Sequence, residues 1–190
     1  MIKKDHPFYL IKELIKDSST YTLSRYIYLP DSVSDEREFF HIKGSDFNQK
    51  LISESLSSLN QAQELAFHSI VKDKYGKIQH IPMIDFMIED EIDRDTYFRL
   101  KYILDKRIFN SLVFYSSGRS FHAYSTTLIS NKEWKDFMGK LLLVNPSNGK
   151  NSIIDTRWIG HRLLSGYSTL RWSNNSGKYL KLPQKYELKF

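Results

Sequence analysis

The chain has 190 residues, no cysteine and a formal net charge of +6, from 28 lysines and arginines against 22 aspartates and glutamates. A hydrophobic content of 41% excludes a disordered chain, and the lack of cysteine excludes a disulfide framework or a cysteine-based zinc site. No stretch has the apolar length of a signal peptide or a spanning helix, so we expect a cytoplasmic protein that does not bind a membrane.

The N-terminal part of the chain alternates between helix-like and strand-like patterns. Apolar residues at helical spacing predict helices over residues 7–16 and from Ser45 or Asp46 to about residue 60. Alternating apolar and polar residues predict strands over 21–29 and 38–43. We expect these elements to form a smaller αβ lobe over residues 1–63.

The sequence from residue 64 to residue 190 is expected to form the larger part of a single domain that covers residues 1–190. Strands are expected over 64–71, 78–88, 111–115, 121–126 and 152–155, with helices over 93–109 and after Ser130. Pro82 inside the second of these strands indicates an edge position or a bulge. From Ile81 onward the order is βαββαβ, which predicts a four-stranded antiparallel sheet with two helices on one face and an open face opposite. The predicted fold class is therefore α+β, with a catalytic sheet like an RNA-recognition motif over residues 64–190.

The hairpin between residues 111 and 126 carries the first candidate site. Gly118 allows a tight turn, and the following strand places His122 one step beyond a turn that also contains Ser117 and Arg119. An imidazole, an arginine fork and free backbone N–H groups suit a phosphate. An ordinary hairpin with a surface histidine has the same local pattern.

Two isolated carboxylates flank this hairpin in sequence. Asp85 lies in an apolar strand, where an uncompensated charge is costly, and Asp155 ends the short strand over 152–155. Two carboxylates on neighbouring strands are typical holders of a divalent cation. From Thr156 to Tyr186 the chain has no acid but contains Arg157, Arg162, Arg171 and Lys178 among its cations, which favours a polyanion partner. A solvated basic tail is the alternative interpretation.

Together these residues resemble the three motifs of the archaeo-eukaryotic primase superfamily, in particular its small single-domain members. The first motif corresponds to Asp85, the second to Ser117–Tyr124 (SGRSFHAY) and the third to Ile153–Asp155 (IID), over roughly residues 81–183. Family members place a second acid two residues after the first, where this chain has Met87. Glu89 is the nearest acid that could replace it.

The resemblance implies a primase-like nucleotidyltransferase that makes or extends a nucleic-acid strand from nucleoside triphosphates. Asp85 and Asp155, with Glu89 as a further candidate, would bind Mg²⁺ or Mn²⁺. From strand alternation and the order of the motifs, we expect Asp85, His122 and Asp155 to point into one cleft on the helix-free face of the sheet. The triphosphate would be held by Ser117, Gly118, Arg119 and His122. Phosphate or template would be bound by Arg171 and Lys178. Nucleic acid would be bound by Arg157, Arg162 and Trp172. The expected partners are a single-stranded DNA or RNA template and a helicase or nuclease.

Two alternatives remain at this stage. Met87 keeps open a catalytically lapsed relative that binds nucleotide or nucleic acid as a subunit of a larger replication, repair or defence assembly. An unrelated βαββαβ binding module also fits, because a fold does not by itself fix a function.

Overall fold

A computed structural model describes residues 2–29 and 31–190 of the chain. The helices are α1 (Pro7–Leu14), α2 (Gln49–Ser57), α3 (Arg94–Ile103), α4 (Lys106–Phe109), α5 (Asn131–Val144) and α6 (Thr156–Ser165). The strands are β1 (Thr20–Ile27), β2 (Arg37–Lys43), β3 (Gln63–Lys72), β4 (Ile78–His80), β5 (Met83–Asp85), β6 (Leu112–Ser116), β7 (Phe121–Ser125), β8 (Ile129–Ser130), β9 (Thr169–Arg171) and β10 (Gln184–Tyr186). Within the described ranges, no helix has the length and apolar character needed to cross a membrane.

The strands form two antiparallel sheets, so the fold is α+β as predicted. In the first sheet the order is β2-β1-β3-β4-β8, and β9 pairs with β3. In the second sheet the order is β10-β6-β7-β5, and a bridge between Phe86 and Ile154 continues it beyond β5. The predicted hairpin of β6 and β7 and the predicted helix after Ser130 are both present, and Ser130 and Glu133 form a capping box on α5.

One face of the second sheet packs on helices. Ile84, Phe114 and Ala123 lie opposite one another in neighbouring strands and share a buried core with residues of α3 and α5, including Leu100 and Trp134. Burial of this apolar surface is the main stabilisation of this half of the molecule. The opposite face carries the alternate residues of the same strands.

The sequence predicted that this opposite face is open. In the structure it is not, because the first sheet covers much of it. Met83, Tyr115 and Tyr124 share a second core with Phe67 and Trp172 from the first sheet and its flanks. A cleft remains beside this core, where the strands carry polar residues. The cleft therefore lies between the two sheets rather than on an exposed sheet surface.

Three predicted elements are interrupted in the structure. The strand expected over 78–88 divides at Ile81 and Pro82, so that β4 belongs to the first sheet and β5 to the second. Pro82 lacks an N–H and cannot continue a ladder on both sides, although its carbonyl accepts from Ser125 N at 2.9 Å. Asp105 caps α4 and so ends the helix expected over 93–109 early. The strand expected over 152–155 is reduced to the single bridge at Ile154.

The predicted division of the chain near residue 63 does not follow the sheets. The long strand β3 begins there, but it pairs with β1 along most of its length. Strands β4, β8 and β9 also join this first sheet. The two halves of the sequence are therefore interleaved, because the chain leaves the first sheet for β5, β6 and β7, returns to it with β8 and β9, and then adds β10 to the second sheet.

Candidate active-site cleft

A cleft of about 1060 Å³ lies between the two sheets. It brings together most of the residues that the sequence singled out. We call the less exposed part around Asp85, His122 and Asp155 the inner end, and the exposed part around Tyr28, Arg119 and Lys178 the outer rim. All six residues line the cleft.

Asp85 and His122 are direct cross-strand neighbours at the inner end. They face each other in the register of β5 and β7, and His122 Nε2 lies 3.5 Å from Asp85 Oδ1. Strand alternation places both side chains on the face opposite α3 and α5, because their neighbours Ile84 and Ala123 face those helices. The sequence-based expectation that both residues point away from the helices agrees with this geometry.

Asp155 completes the inner end from the loop that leads into α6. Its backbone N–H donates to the Asp85 carbonyl at 3.1 Å, which fixes the two residues side by side. One of its carboxylate oxygens, Oδ1, accepts from Trp158 N at 2.9 Å and caps α6. The cap uses only one of the two carboxylate oxygens.

Burial and like charge make the inner end unfavourable for negative charge. Burial raises the pKa of Asp85 to about 8, the charge of Asp155 adds to this rise, and Arg171 and Arg162 oppose it. Burial also holds the pKa of His122 well below its usual value, and the charge of Arg171 lowers it further. His122 is therefore a neutral imidazole. Its Nδ1 is buried and has no hydrogen-bond partner within residues 2–29 and 31–190.

The turn between β6 and β7 places two of the predicted phosphate-binding residues on the cleft. Ser117 and exposed Arg119 line it, and Ser117 N donates to Ser120 O at 2.8 Å to close the turn. Gly118 has a φ of 120°, and a Cβ there would approach Leu180 N to 3.2 Å. Glycine is thus required by the turn and by the close approach of the C-terminal segment.

The four cations assigned to phosphate, template or nucleic acid have different environments. Arg171 is 5% exposed and donates to the carbonyls of Ser117 and Ser173. Arg162 is 2% exposed and forms an ion pair with Asp35. Arg171 and Arg162 therefore line the cleft as buried cations that already contact protein groups.

Lys178 and Arg157 are the exposed members of the same set. Lys178 Nζ donates to the Tyr28 carbonyl at 2.6 Å, and Arg157 Nη2 donates to the Ser32 carbonyl at 2.7 Å. Both contacts are with backbone oxygens at the outer rim, so both cations lie where an anionic chain can reach them.

A family model describes 142 positions of this chain, from residue 43 to residue 184, as archaeo-eukaryotic primase 1D-like. The chain belongs to this family. The matched span contains Asp85, the hairpin with His122, and Asp155, so the resemblance found in the motifs is confirmed. Searches of curated proteins and of solved structures gave no significant match.

Trp172 does not have the role in this primase-like protein that the sequence suggested. Its ring is fully buried, stacks on Phe67 with ring centroids 4.7 Å apart, and donates from Nε1 to Tyr124 OH at 3.1 Å. The prediction that Trp172 contacts nucleic acid is therefore wrong, because the ring is fully buried. A tryptophan beside an arginine in a basic segment gives no sign that it lies in the core.

Sequence reasoning also missed Glu64, a fully buried carboxylate at the start of β3. Its Oε1 accepts from Ser176 N at 2.8 Å, from Ser176 Oγ at 2.6 Å and from Asn175 N at 3.1 Å. These bonds hold the segment 173–178, which we call the Lys178 loop, against the first sheet. No sequence signal distinguished this acid from others at strand ends.

The primase-like protein departs from a complete acidic motif at Met87. Its side chain is 59% exposed at the cleft, where a second acid of the first motif would lie. Glu89 is also exposed and lines the cleft. Among the described residues there is no group of three or more His, Cys, Asp or Glu side chains placed to hold a metal ion.

Proposed function

We propose that this primase 1D-like protein is a nucleotidyltransferase that extends a nucleic-acid strand from nucleoside triphosphates in the cleft. The observation that carries the proposal is the convergence of Asp85, His122 and Asp155 at one buried end, with Arg119 on the same cleft. The order β6-β7-β5 followed by the Ile154 bridge supports the finer proposal that the second sheet is an RNA-recognition-motif-like βαββαβ unit.

The carboxylates of the inner end fit one divalent cation, Mg²⁺ or Mn²⁺, rather than two. Asp85 and Asp155 are close enough for the charge of one to raise the pKa of the other, and a cation between such groups relieves their repulsion. Mg²⁺ is commonly held by one or two carboxylates together with substrate phosphates. Such an ion would neutralise the charge that develops on the transferring phosphoryl group.

The remaining residues supply positioning. Neutral His122 and the cationic Arg119 would hold the triphosphate oxygens, with the hydroxyl of Ser117 beside them. Phosphoryl transfer depends mainly on alignment and on charge neutralisation in a site with little water. The reacting phosphoryl group would therefore lie at the inner end, and the exposed cations of the outer rim would contact the nucleic-acid strand.

A second candidate function is favoured by Met87. A relative that has lost one acid could bind nucleotide or nucleic acid without transferring it, as a subunit of a replication, repair or defence assembly. A single-stranded DNA or RNA template is common to both proposals, and a helicase or nuclease is the proposed protein partner.

Extension of a labelled primer on a template tests the proposal. We expect weak extension that is faster with Mn²⁺ than with Mg²⁺, because Mn²⁺ tolerates an incomplete carboxylate cage better. Asp85→Ala and Asp155→Ala should each lose activity on the order of 10³-fold, since the cation supplies several kcal/mol. The matched control is Glu91→Ala, at an exposed acid outside the cleft. Absence of extension in the wild type with either cation, with nucleotide binding retained, would favour the second candidate.

A further inference from the structure

We propose that Tyr28 is a stacking platform for a base of a single-stranded nucleic acid at the outer rim. The residue follows β1 directly, its side chain is 45% exposed, and it lines the cleft. It lies outside residues 43–184, the span that matches the family. The occupant is the strand of the proposed function, so in this respect the inference rests on that function.

Aromatic rings and cations alternate around Tyr28. The ring of Tyr179 lies 6.3 Å from that of Tyr28, and Lys178 Nζ lies 5.7 Å from the centroid of the Tyr28 ring. Arg171 covers one face of Tyr179 at 3.8 Å, and Arg37 covers one face of Tyr26 at 4.1 Å. Of these three tyrosines, Tyr28 is the exposed one, and it therefore has the most ring surface available to a ligand.

This arrangement matches the chemistry of single strands. Unpaired bases present flat π-faces that stack on aromatic side chains, while nearby cations contact the phosphates between them. Lys178, Arg157 and Arg119 are exposed on the same cleft and supply those cations. Of the acids that line the rim, Asp35 and Glu38 are paired with Arg37 and Arg25. Glu36 and Glu89 are exposed and form no salt bridge among the described residues, and the three exposed cations outnumber these two acids.

The Lys178 loop is fixed before any ligand arrives. Glu64 accepts hydrogen bonds from the backbone of Asn175 and Ser176, and Lys178 Nζ reaches the Tyr28 carbonyl. The loop and the strand end that carries Tyr28 are thereby joined. Because the residues around Tyr28 are already fixed, binding costs them little conformational entropy. This favours stacking of a base on the Tyr28 ring.

Fluorescence anisotropy with a labelled single-stranded oligonucleotide tests the inference, in buffer without nucleotide or divalent cation. The variants are Tyr28→Ala and Tyr28→Phe, with Tyr102→Ala as a control at a 90% exposed tyrosine of α3 outside the cleft. Each is measured with a base-bearing oligonucleotide and with an abasic one of the same length, which keeps the phosphates. Urea unfolding of each variant checks that the fold is retained.

Tyr28→Ala is expected to raise the Kd for the base-bearing strand about tenfold, within the range of one base–aromatic stack. Tyr28→Phe and Tyr102→Ala should stay within about twofold of wild type, and the abasic strand should not distinguish Tyr28→Ala from wild type. The inference would be overturned if Tyr28→Ala bound the base-bearing strand with wild-type affinity, or if it lost as much affinity for the abasic strand. It would also be overturned if the wild type bound neither strand. Because the assay contains no nucleotide or metal, Tyr28-dependent binding without primer extension would contradict only the proposed function.

Discussion

The two ends of the cleft are built in opposite ways. At the inner end, half-buried Asp85 and buried His122 lie on paired strands with a fixed register, and Asp155 is linked to Asp85 through a backbone hydrogen bond. At the outer rim, the exposed residues Tyr28, Arg119 and Lys178 lie on a strand end, a turn and a loop. In the proposed function, the groups that align the reacting phosphate lie on or beside paired strands, whereas the groups proposed to contact the nucleic-acid strand lie at a strand end, a turn and a loop.

The difference is also electrostatic. Burial disfavours negative charge at the inner end and thereby raises the pKa of Asp85. The cations of the rim remain in water, where a single ion pair contributes little to stability. We therefore expect substitutions at the inner end and at the outer rim to affect different properties, and three experiments test this expectation.

The largest expected effect is a difference in the free energy of unfolding between variants of Arg171 and Lys178. The sequence assigned these two residues to one role. Arg171→Ala should lower the free energy of unfolding by about 3 kcal/mol, because it leaves the buried carbonyls of Ser117 and Ser173 without a donor. Lys178→Ala should change it by less than about 0.5 kcal/mol, as expected for an exposed side chain. Urea titration of both variants measures this difference, and equal losses would remove the distinction between buried and exposed cations.

A smaller effect is expected on restoring the missing acid. Met87→Asp should raise Mg²⁺-dependent primer extension about tenfold, because a further carboxylate adds charge and a ligand at the exposed edge of the inner end. The matched control is Met87→Asn, which has the same shape without the charge. If the asparagine variant is equally active, the gain does not come from a carboxylate ligand.

The smallest of the three effects concerns pH, measured in the presence of a chelator. Folded Asp85, with a pKa of about 8, keeps a proton that the unfolded chain, with the ordinary value near 3.8, has released. The folded state thus binds more protons between these values, and the stability from this group is lost as pH rises from about 4 to about 8. Relative to Asp85→Asn, the wild type should lose about 1 kcal/mol or more between about pH 5 and about pH 8.

The comparison with Asp85→Asn is needed because buried histidines act in the opposite direction. Burial lowers the pKa of His6 and His80 to about 4, so these groups destabilise the fold as pH falls below their ordinary value of 6.5. Their effect is common to both proteins and cancels in the difference. A difference that does not change with pH would show that Asp85 titrates normally.

The sequence predicted the hairpin, the helix after Ser130 and the facing of Asp85 and His122, because these depend on local signals. Strand alternation, a glycine turn and a capping box each act within a few residues. It did not predict that Pro82 carries the chain from one sheet to the other, or that β9 returns to β3, since both depend on long-range pairing. For the same reason the sequence did not predict that Trp172 lies in the core or that Tyr28 lies exposed at the rim.

We propose above that the inner end binds a nucleoside triphosphate together with one divalent cation. Calorimetric titration of the wild type with a nucleoside triphosphate in Mn²⁺ measures this directly, beside Asp85→Asn, Asp155→Asn and the control Glu91→Gln. We predict one nucleotide per chain for the wild type and the control, and an affinity reduced about tenfold or more in both aspartate variants. Wild-type affinity in both aspartate variants would place the nucleotide elsewhere and contradict the claim.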